Sequence, residues 1–126
     1  MNTTGPFGAL PGFDAQHMYR TYGDDATTIK EILQEYLQEL PDEIQVMQQN
    51  FEQRRYDELM GNLHKLKPGF LYVGLQGLYH KVAELEAACE SATQVTVLQQ
   101  RFPQLIHEIS QSQQVIAHVV NSLGDA

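Results

Sequence analysis

His64 and Lys67 are the side chains best suited to take part in a reaction, because a nucleophile and a cation lie three residues apart in a stretch with helical periodicity. Both fall outside the apolar stripe that this helix would turn toward a core. The stripe consists of Leu59, Leu63, Leu66, Phe70 and Val73. A solvated histidine has a pKa of about 6.5, so it is mostly neutral near pH 7 and can act as a nucleophile without a dedicated base. The sequence therefore predicts an exposed imidazole with a cation beside it.

Positive charge is concentrated around His64, although the whole chain is acidic, with a net charge of −8. Most of the eight lysines and arginines lie between positions 54 and 81, where acidic residues are scarce. The basic residues are Arg54, Arg55, Lys65, Lys67 and Lys81, and the acids are Asp57 and Glu58. The overall charge argues against a nucleic-acid binder, since phosphate backbones require a basic surface. The local basic strip favours an anionic partner or group.

The remaining histidines offer weaker sites. His80 and Glu84 stand one helical turn apart, but two exposed residues more often form a solvated pair than a metal site. His107 and His118 are too far apart for one ion, and His17 has no convincing partner. A metal-binding bundle would also need inward glutamate and histidine pairs, whereas the inward stripes here are apolar. We expect no metal ion and no cofactor.

Five segments with helical patterns must position these side chains. A short first helix runs from position 13 to 22 and ends at Gly23, a good stop residue. Asp24 and Asp25 can cap the second helix, and Thr28 with Glu31 fits a capping box. The inward residues of the second helix are Ile29, Leu33, Tyr36, Leu40, Ile44, Met47 and Phe51.

Prolines and one glycine interrupt the helical patterns. Pro41 should kink or break the second helix, and Pro103 should bend the last one. The third helix covers residues 56–72, and Gly74 marks a break or a close packing point after it. The fourth helix carries an apolar stripe, and a loop near 91–94 leads to the last helix. Their inward residues are Leu75, Leu78, Val82, Leu85 and Cys89, then Leu98, Phe102, Leu105, Ile109, Ile116, Val119 and Leu123.

These stripes can be buried only against each other, because each long helix has a single apolar face and the loops are short. We therefore predict an all-α fold: an antiparallel four-helix bundle with a short additional N-terminal helix. The length of 126 residues fits one such domain over residues 13–126, preceded by a flexible lead-in, rich in glycine and proline, at 1–12. Since every stripe is used internally, we expect a monomer.

Nothing in the sequence predicts contact with a membrane. No apolar run is long enough to cross a bilayer, and the amino terminus lacks the basic start and apolar block of a signal peptide. The single cysteine, Cys89, cannot form an internal disulfide. We expect a cytoplasmic location.

The residues around His64 resemble the histidine-containing phosphotransfer (HPt) domain of two-component phosphorelays. The family pattern places a leucine, a lysine, a glycine, a second leucine and a Leu-Glu pair at set intervals after the phosphorylatable histidine. This chain supplies, at those intervals, His64, Leu66, Lys67, Gly74, Leu78, Leu85 and Glu86. With weaker matches on both sides of this segment, the resemblance covers roughly residues 13–122.

The resemblance implies that His64 accepts a phosphoryl group from a receiver-domain aspartyl phosphate and passes it to another receiver aspartate. It also implies that Lys67 offsets the phosphoryl charge. The receiver would bring the divalent cation and the aspartate. The protein would be a phosphocarrier, or histidine phosphotransferase, without kinase activity of its own. Its partners would be response-regulator receiver domains, of a hybrid sensor histidine kinase and of a response regulator.

The residues that flank the histidine would form the receiver docking surface. They are Met60, Gly61, Pro68, Gly69 and Leu71. Pro68 departs from the family, which usually has glycine after the lysine; proline lacks the amide hydrogen and crowds the carbonyl of His64. The alternative is a non-transferring HPt-like docking module that binds receiver or kinase domains. Both a free-standing protein and the end of a hybrid kinase fit the pattern.

Overall fold

The computed structural model describes residues 12–91 and 93–123, and this part of the chain consists of five α-helices without any strand. The helices are α1 (Ala15–Tyr22), α2 (Ala26–Glu52), α3 (Tyr56–Tyr72), α4 (Gln76–Ser91) and α5 (Gln94–Leu123). The predicted all-α class is confirmed, and α3 has the predicted bounds. The predicted flexible lead-in lies outside the described residues, except for Gly12.

Helices α2 to α5 pack in a ring in which each helix packs mainly against two neighbours, and α3 also touches α5 across the bundle. Along α2, Tyr36 meets Ser112 of α5 and Phe51 meets Phe102, so the two helices run in opposite directions. The other neighbours in the ring follow each other through short turns and are therefore antiparallel as well. This is the predicted four-helix bundle, and α1 is the additional N-terminal helix.

The apolar stripes predicted from periodicity form the core of the bundle. A few stripe residues are only partly buried and pack against the edge of the core, namely Phe51, Leu66, Leu78 and Cys89. The core also holds a polar pair that no pattern indicated. The hydroxyl groups of Tyr36 and Ser112 lie 2.8 Å apart, and Ser112 also donates to the carbonyl of Ile109. These bonds offset the cost of burying two hydroxyl groups.

Aspartates begin the first two helices. The carboxylate of Asp14 accepts a hydrogen bond of 3.0 Å from the amide of His17, and that of Asp25 accepts one of 3.0 Å from the amide of Thr28. The predicted capping box of Thr28 and Glu31 is wrong. Asp25, one of the two predicted caps, is the N-cap, and Thr28 lies inside α2, where its hydroxyl donates back to Asp25.

Three exposed prolines lie inside helices that continue past them. They are Pro41 in α2, Pro68 in α3 and Pro103 in α5. The break considered at Pro41 does not occur. Each proline removes one helical hydrogen bond, but on the solvent side of a helix water can bind the carbonyl that has lost its partner.

Helix α1 is attached where α3 turns into α4. The amide of Asp14 donates to the carbonyl of Gly74 at 2.8 Å, and the ring of His17 is 2.8 Å from the carbonyl of Leu71. His17 thus has a partner that the sequence did not reveal. Gly74 has a φ of 76°, and a Cβ built on it would lie 3.2 Å from the Asp14 carbonyl and from Met18. Gly74 is therefore both a break and a close packing point, as predicted.

Candidate functional site

His64 presents its imidazole to solvent from the middle of α3, with 73% of the side chain exposed. Its Nδ1 lies 2.7 Å from Oε2 of Glu86 on α4. An ionised carboxylate can only accept a hydrogen bond, so Nδ1 carries the proton and donates it. In the neutral ring the other nitrogen, Nε2, then has a free lone pair. The contact thus selects the tautomer whose nucleophilic nitrogen is not bound to Glu86.

Glu86 holds Lys67 as well as His64. The Nζ of Lys67 donates to Oε1 of Glu86 at 2.5 Å, so the two carboxylate oxygens have different partners on α3. The ammonium also lies 5.6 Å from the centre of the Tyr79 ring, within the range of a cation–π contact. Only 17% of the Lys67 side chain is exposed. Its position outside the apolar stripe had predicted a more exposed lysine. Lys67 lies between α3 and α4 beside the histidine.

Glu86 and Lys67 stabilise each other's ionised forms. Partial burial raises the pKa of Glu86, but the hydrogen bonds from Lys67 and His64 together outweigh it, so the pKa of this carboxyl lies below its usual range. The hydrogen bond to Glu86 raises the pKa of Lys67. Near neutral pH the site therefore contains a carboxylate and an ammonium ion, and the imidazole is bound to the carboxylate.

Local and tertiary features together bring these side chains into contact. His64 and Lys67 are neighbours because three residues nearly complete one helical turn. Glu86 reaches them because α4 folds back along α3 after the turn at Gly74. Leu85 is buried in the core and so fixes the rotation of α4 about its axis. This rotation places Glu86, the next residue, at the seam between α3 and α4.

The predicted docking residues do not all lie on one face. At about 100° per residue, Met60, Gly61, Pro68 and Leu71 lie on the side of α3 that carries His64. Gly61 and Pro68 are exposed there, and the other two are partly buried. Gly69 lies farther round the helix, where it lines a groove with Tyr22, Tyr36 and Tyr72.

Neither glycine near His64 is required by packing within the chain. A Cβ built on Gly61 or on Gly69 would meet no atom within 4 Å. In a helix interior glycine costs up to about 1 kcal/mol relative to alanine. The absence of side chains therefore leaves open surface beside the histidine without improving the packing of the fold.

Three of the five basic residues in the strip predicted from the sequence are paired with acidic side chains, two of them with acids from outside the strip. Lys67 is paired with Glu86, and Lys81 donates to Glu108 of α5 at 2.5 Å. Arg55 lies 3.7 Å from Glu58 and also donates to Asn50. The surface around His64 is consequently less positive than the linear sequence indicates.

The described residues contain no group of three or more histidine, cysteine or acidic side chains that could hold a metal ion. The ring of His80 packs edge-to-face against Tyr79.

None of the described helices is long and apolar enough to span a bilayer.

Glu86 is a site residue whose role could not be predicted from the sequence. Its position in the family pattern was the only signal, and no role followed from it because its partners lie 19 and 22 positions away in the chain.

Comparison with protein families agrees with this geometry. Residues 31–115, well over half of the chain, match the family model described as Hpt domain. Searches of curated proteins and of solved structures found no match. The matched range contains His64, Lys67 and Glu86, the three side chains that meet at the α3–α4 seam. The chain belongs to the Hpt domain family, whose general role is histidine phosphotransfer in phosphorelays, where Hpt domains interact with receiver domains.

Proposed function

We propose that His64 accepts a phosphoryl group from the aspartyl phosphate of one receiver domain and passes it to the aspartate of another. The observation that carries this proposal is the contact between Nδ1 of His64 and Glu86, which in the neutral ring leaves Nε2 without a proton on a largely exposed side chain. The lone pair of Nε2 attacks phosphorus, the bond from phosphorus to the aspartate oxygen breaks, and the aspartate leaves as a carboxylate. The proton on Nδ1 stays in place throughout. In the second transfer the aspartate of the other receiver attacks, and the electron pair returns to Nε2.

Lys67 is proposed to offset the charge of the phosphoryl group while it is bound. An ammonium has three donors, so Lys67 can keep its bond to Glu86 and donate a second one to a phosphoryl oxygen. Cations placed at a transferring phosphoryl group stabilise its charge most where water is partly excluded. The limited exposure of Lys67 satisfies this condition.

Met60, Gly61, Pro68 and Leu71 are proposed to contact the receiver around His64, and Gly69 is proposed to lie at the edge of that footprint. The exposed surface beside Gly61 lets another domain approach α3 closely. Met60, Pro68 and Leu71 add apolar area, which is typical of the centre of a protein interface. The proposal retains the cytoplasmic location and the monomeric state predicted from the sequence.

The docking-module alternative depended on distortion of α3 by Pro68. Helix α3 continues through Pro68, and the histidine keeps both its exposure and its partner. These observations favour transfer over docking alone.

Phosphorylated receiver domains provide the direct test. The wild-type protein, His64→Gln and the control His80→Gln, which changes another exposed histidine, are each incubated with labelled receivers. We expect acid-labile, alkali-stable label on the wild type and on His80→Gln, and none on His64→Gln. Label on His64→Gln would place the reaction on another residue. Receivers that bind the wild type and never label it would establish the docking module instead.

A further inference from the structure

We infer that Glu86 keeps the phosphorylated ring of His64 protonated, and so determines how readily the phosphoryl group leaves. Glu86 would be a positioning residue that acts through the imidazole and does not touch phosphorus. The inference rests on the proposed function, because it concerns the phosphorylated state of the same histidine.

The first step is the position of the ring proton after phosphorylation. When Nε2 forms its bond to phosphorus, the proton on Nδ1 remains and the ring becomes a cation. Loss of that proton would turn the lone pair of Nδ1 toward Oε2 of Glu86, which lies 2.7 Å away. Two acceptors would then face each other without a hydrogen between them. The carboxylate therefore favours the protonated ring by both charge and hydrogen bonding.

The second step is the effect of ring protonation on the nitrogen–phosphorus bond. Cleavage of the protonated ring returns the electron pair to Nε2 and releases a neutral imidazole. Cleavage of the deprotonated ring would release an imidazolate anion, which is a much poorer leaving group. The protonated form is therefore the one that transfers or hydrolyses easily, in keeping with the acid lability of phosphohistidine.

The other charged or titratable groups near this contact come from three helices. On α3, Lys67 is bound to the second oxygen of Glu86 and partly offsets its charge. On α4, Tyr79 lies beside Lys67, and Cys89 lies within electrostatic range of Glu86. On α5, Arg101 acts on Cys89. Among these groups, Glu86 is the one hydrogen-bonded to Nδ1 of His64.

Glu86→Gln tests the inference because glutamine keeps the length of the side chain and removes the charge. A glutamine can accept from a protonated Nδ1 or, after rotation of the amide, donate to an unprotonated one. The matched control is Glu108→Gln, which removes a carboxylate from another lysine pair between helices, on the α4–α5 side. Glu86→Gln combined with Lys67→Met separates the loss of the carboxylate from the release of Lys67.

Each variant is phosphorylated with phosphoramidate, which needs no receiver, and the loss of phosphate from His64 is followed between pH 5 and pH 9. An opposite charge in contact shifts a pKa by about one unit or more. We therefore expect the midpoint of the hydrolysis profile of Glu86→Gln to lie about one pH unit lower than in the wild type. The phosphorylated form should then last about tenfold longer at pH 8, where protonation limits cleavage. Glu108→Gln should follow the wild type, and the midpoint of the double variant should also lie below that of the wild type, whatever the loss of Lys67 does to the rate itself.

Coincident profiles for the wild type and Glu86→Gln would overturn the inference while leaving the proposed function intact. A lower midpoint in Glu86→Gln that returns to the wild-type value in the double variant would also overturn the inference, because the released Lys67 would then be the cause. Failure of phosphoramidate to label His64 would overturn the inference and the proposed function together. Labelling with the expected profiles but without exchange with any receiver would overturn only the proposed function.

Discussion

Oε2 of Glu86 and Nδ1 of His64 lie 2.7 Å apart across the seam between α4 and α3. This contact joins the most exposed member of the site to one with only 19% of its side chain exposed. The histidine is therefore accessible to a partner while its ring is held in a defined orientation. A rigid orientation with a free Nε2 is what nucleophilic attack on a docked phosphoryl group requires.

Replacement of Lys67 by methionine should slow transfer without preventing it. The ammonium is expected to stabilise the phosphoryl charge, and loss of one such donor commonly lowers a rate by about a hundredfold. The rate of phosphoryl transfer from a receiver to Lys67→Met measures this effect. Lys65→Met is the control, since Lys65 is an exposed lysine on the same helix. Equal rates for the two variants would remove Lys67 from the reaction.

Stability should fall in acid because the pKa values of two interhelical carboxyl groups are lowered. Burial opposes this shift at Glu86, but hydrogen bonds from Lys67 and His64 outweigh it; at Glu108 the bond from Lys81 is the main cause. A carboxyl whose pKa is lower in the folded state adds stability above its unfolded pKa of about 4.3. That contribution is lost as the pH falls through the folded pKa.

Urea unfolding of the wild type and of the Glu86→Gln, Glu108→Gln double variant at pH 7 and at pH 3 tests this linkage. The double variant should lose less stability between the two pH values than the wild type. An identical loss in both proteins would show that other groups cause the acid sensitivity.

Gly74→Ala should destabilise the fold by about 2 kcal/mol or more, since alanine is strained at a positive φ and its Cβ would crowd α1. The control is Gly77→Ala in α4, where a Cβ meets nothing within 4 Å. That variant should gain up to about 1 kcal/mol, because alanine favours helices more than glycine. Thermal unfolding measures both changes. A neutral Gly74→Ala would mean that α1 moves away at little cost.

The buried pair Tyr36 and Ser112 should show coupling in a double-mutant cycle. Ser112→Ala leaves the buried Tyr36 hydroxyl without its partner and should cost about 1–3 kcal/mol. Tyr36→Phe should cost less, because Ser112 keeps its bond to the carbonyl of Ile109. The double variant should lose less stability than the sum of the two single variants in chemical denaturation. Strict additivity would show that the two hydroxyl groups do not interact.

Pro68→Ala should stabilise α3 and weaken docking. The exposed proline removes a helical hydrogen bond, and a proline inside a helix costs up to about 3 kcal/mol. Pro41→Ala is the control, because Pro41 is also exposed inside a helix and lies on α2. Both variants should unfold at higher denaturant concentration, but only Pro68→Ala should bind a cognate receiver more weakly. Unchanged receiver affinity would exclude Pro68 from the docking surface.

The helices, their inward faces and the closeness of His64 to Lys67 could all be predicted from the amino-acid sequence. Helix formation and the 3.6-residue period are local, and two residues three apart on one helix are neighbours whatever the rest of the chain does. The stripes predicted from this period are the stripes found in the core. Local capping was predicted less well, because Asp25 and Thr28 both offered an acceptor near the start of α2.

The contacts between side chains of different helices could not be predicted in this way, because they depend on how the helices pack. The contacts of Glu86 with His64, of Lys81 with Glu108 and of His17 with the Leu71 carbonyl each join different helices. They depend on the register and rotation of whole helices, which follow from core packing and from turns such as the one at Gly74. The periodicity of a single helix carries no information on that register. Glu86 could therefore be identified as the partner of His64 only from the packing of α4 against α3.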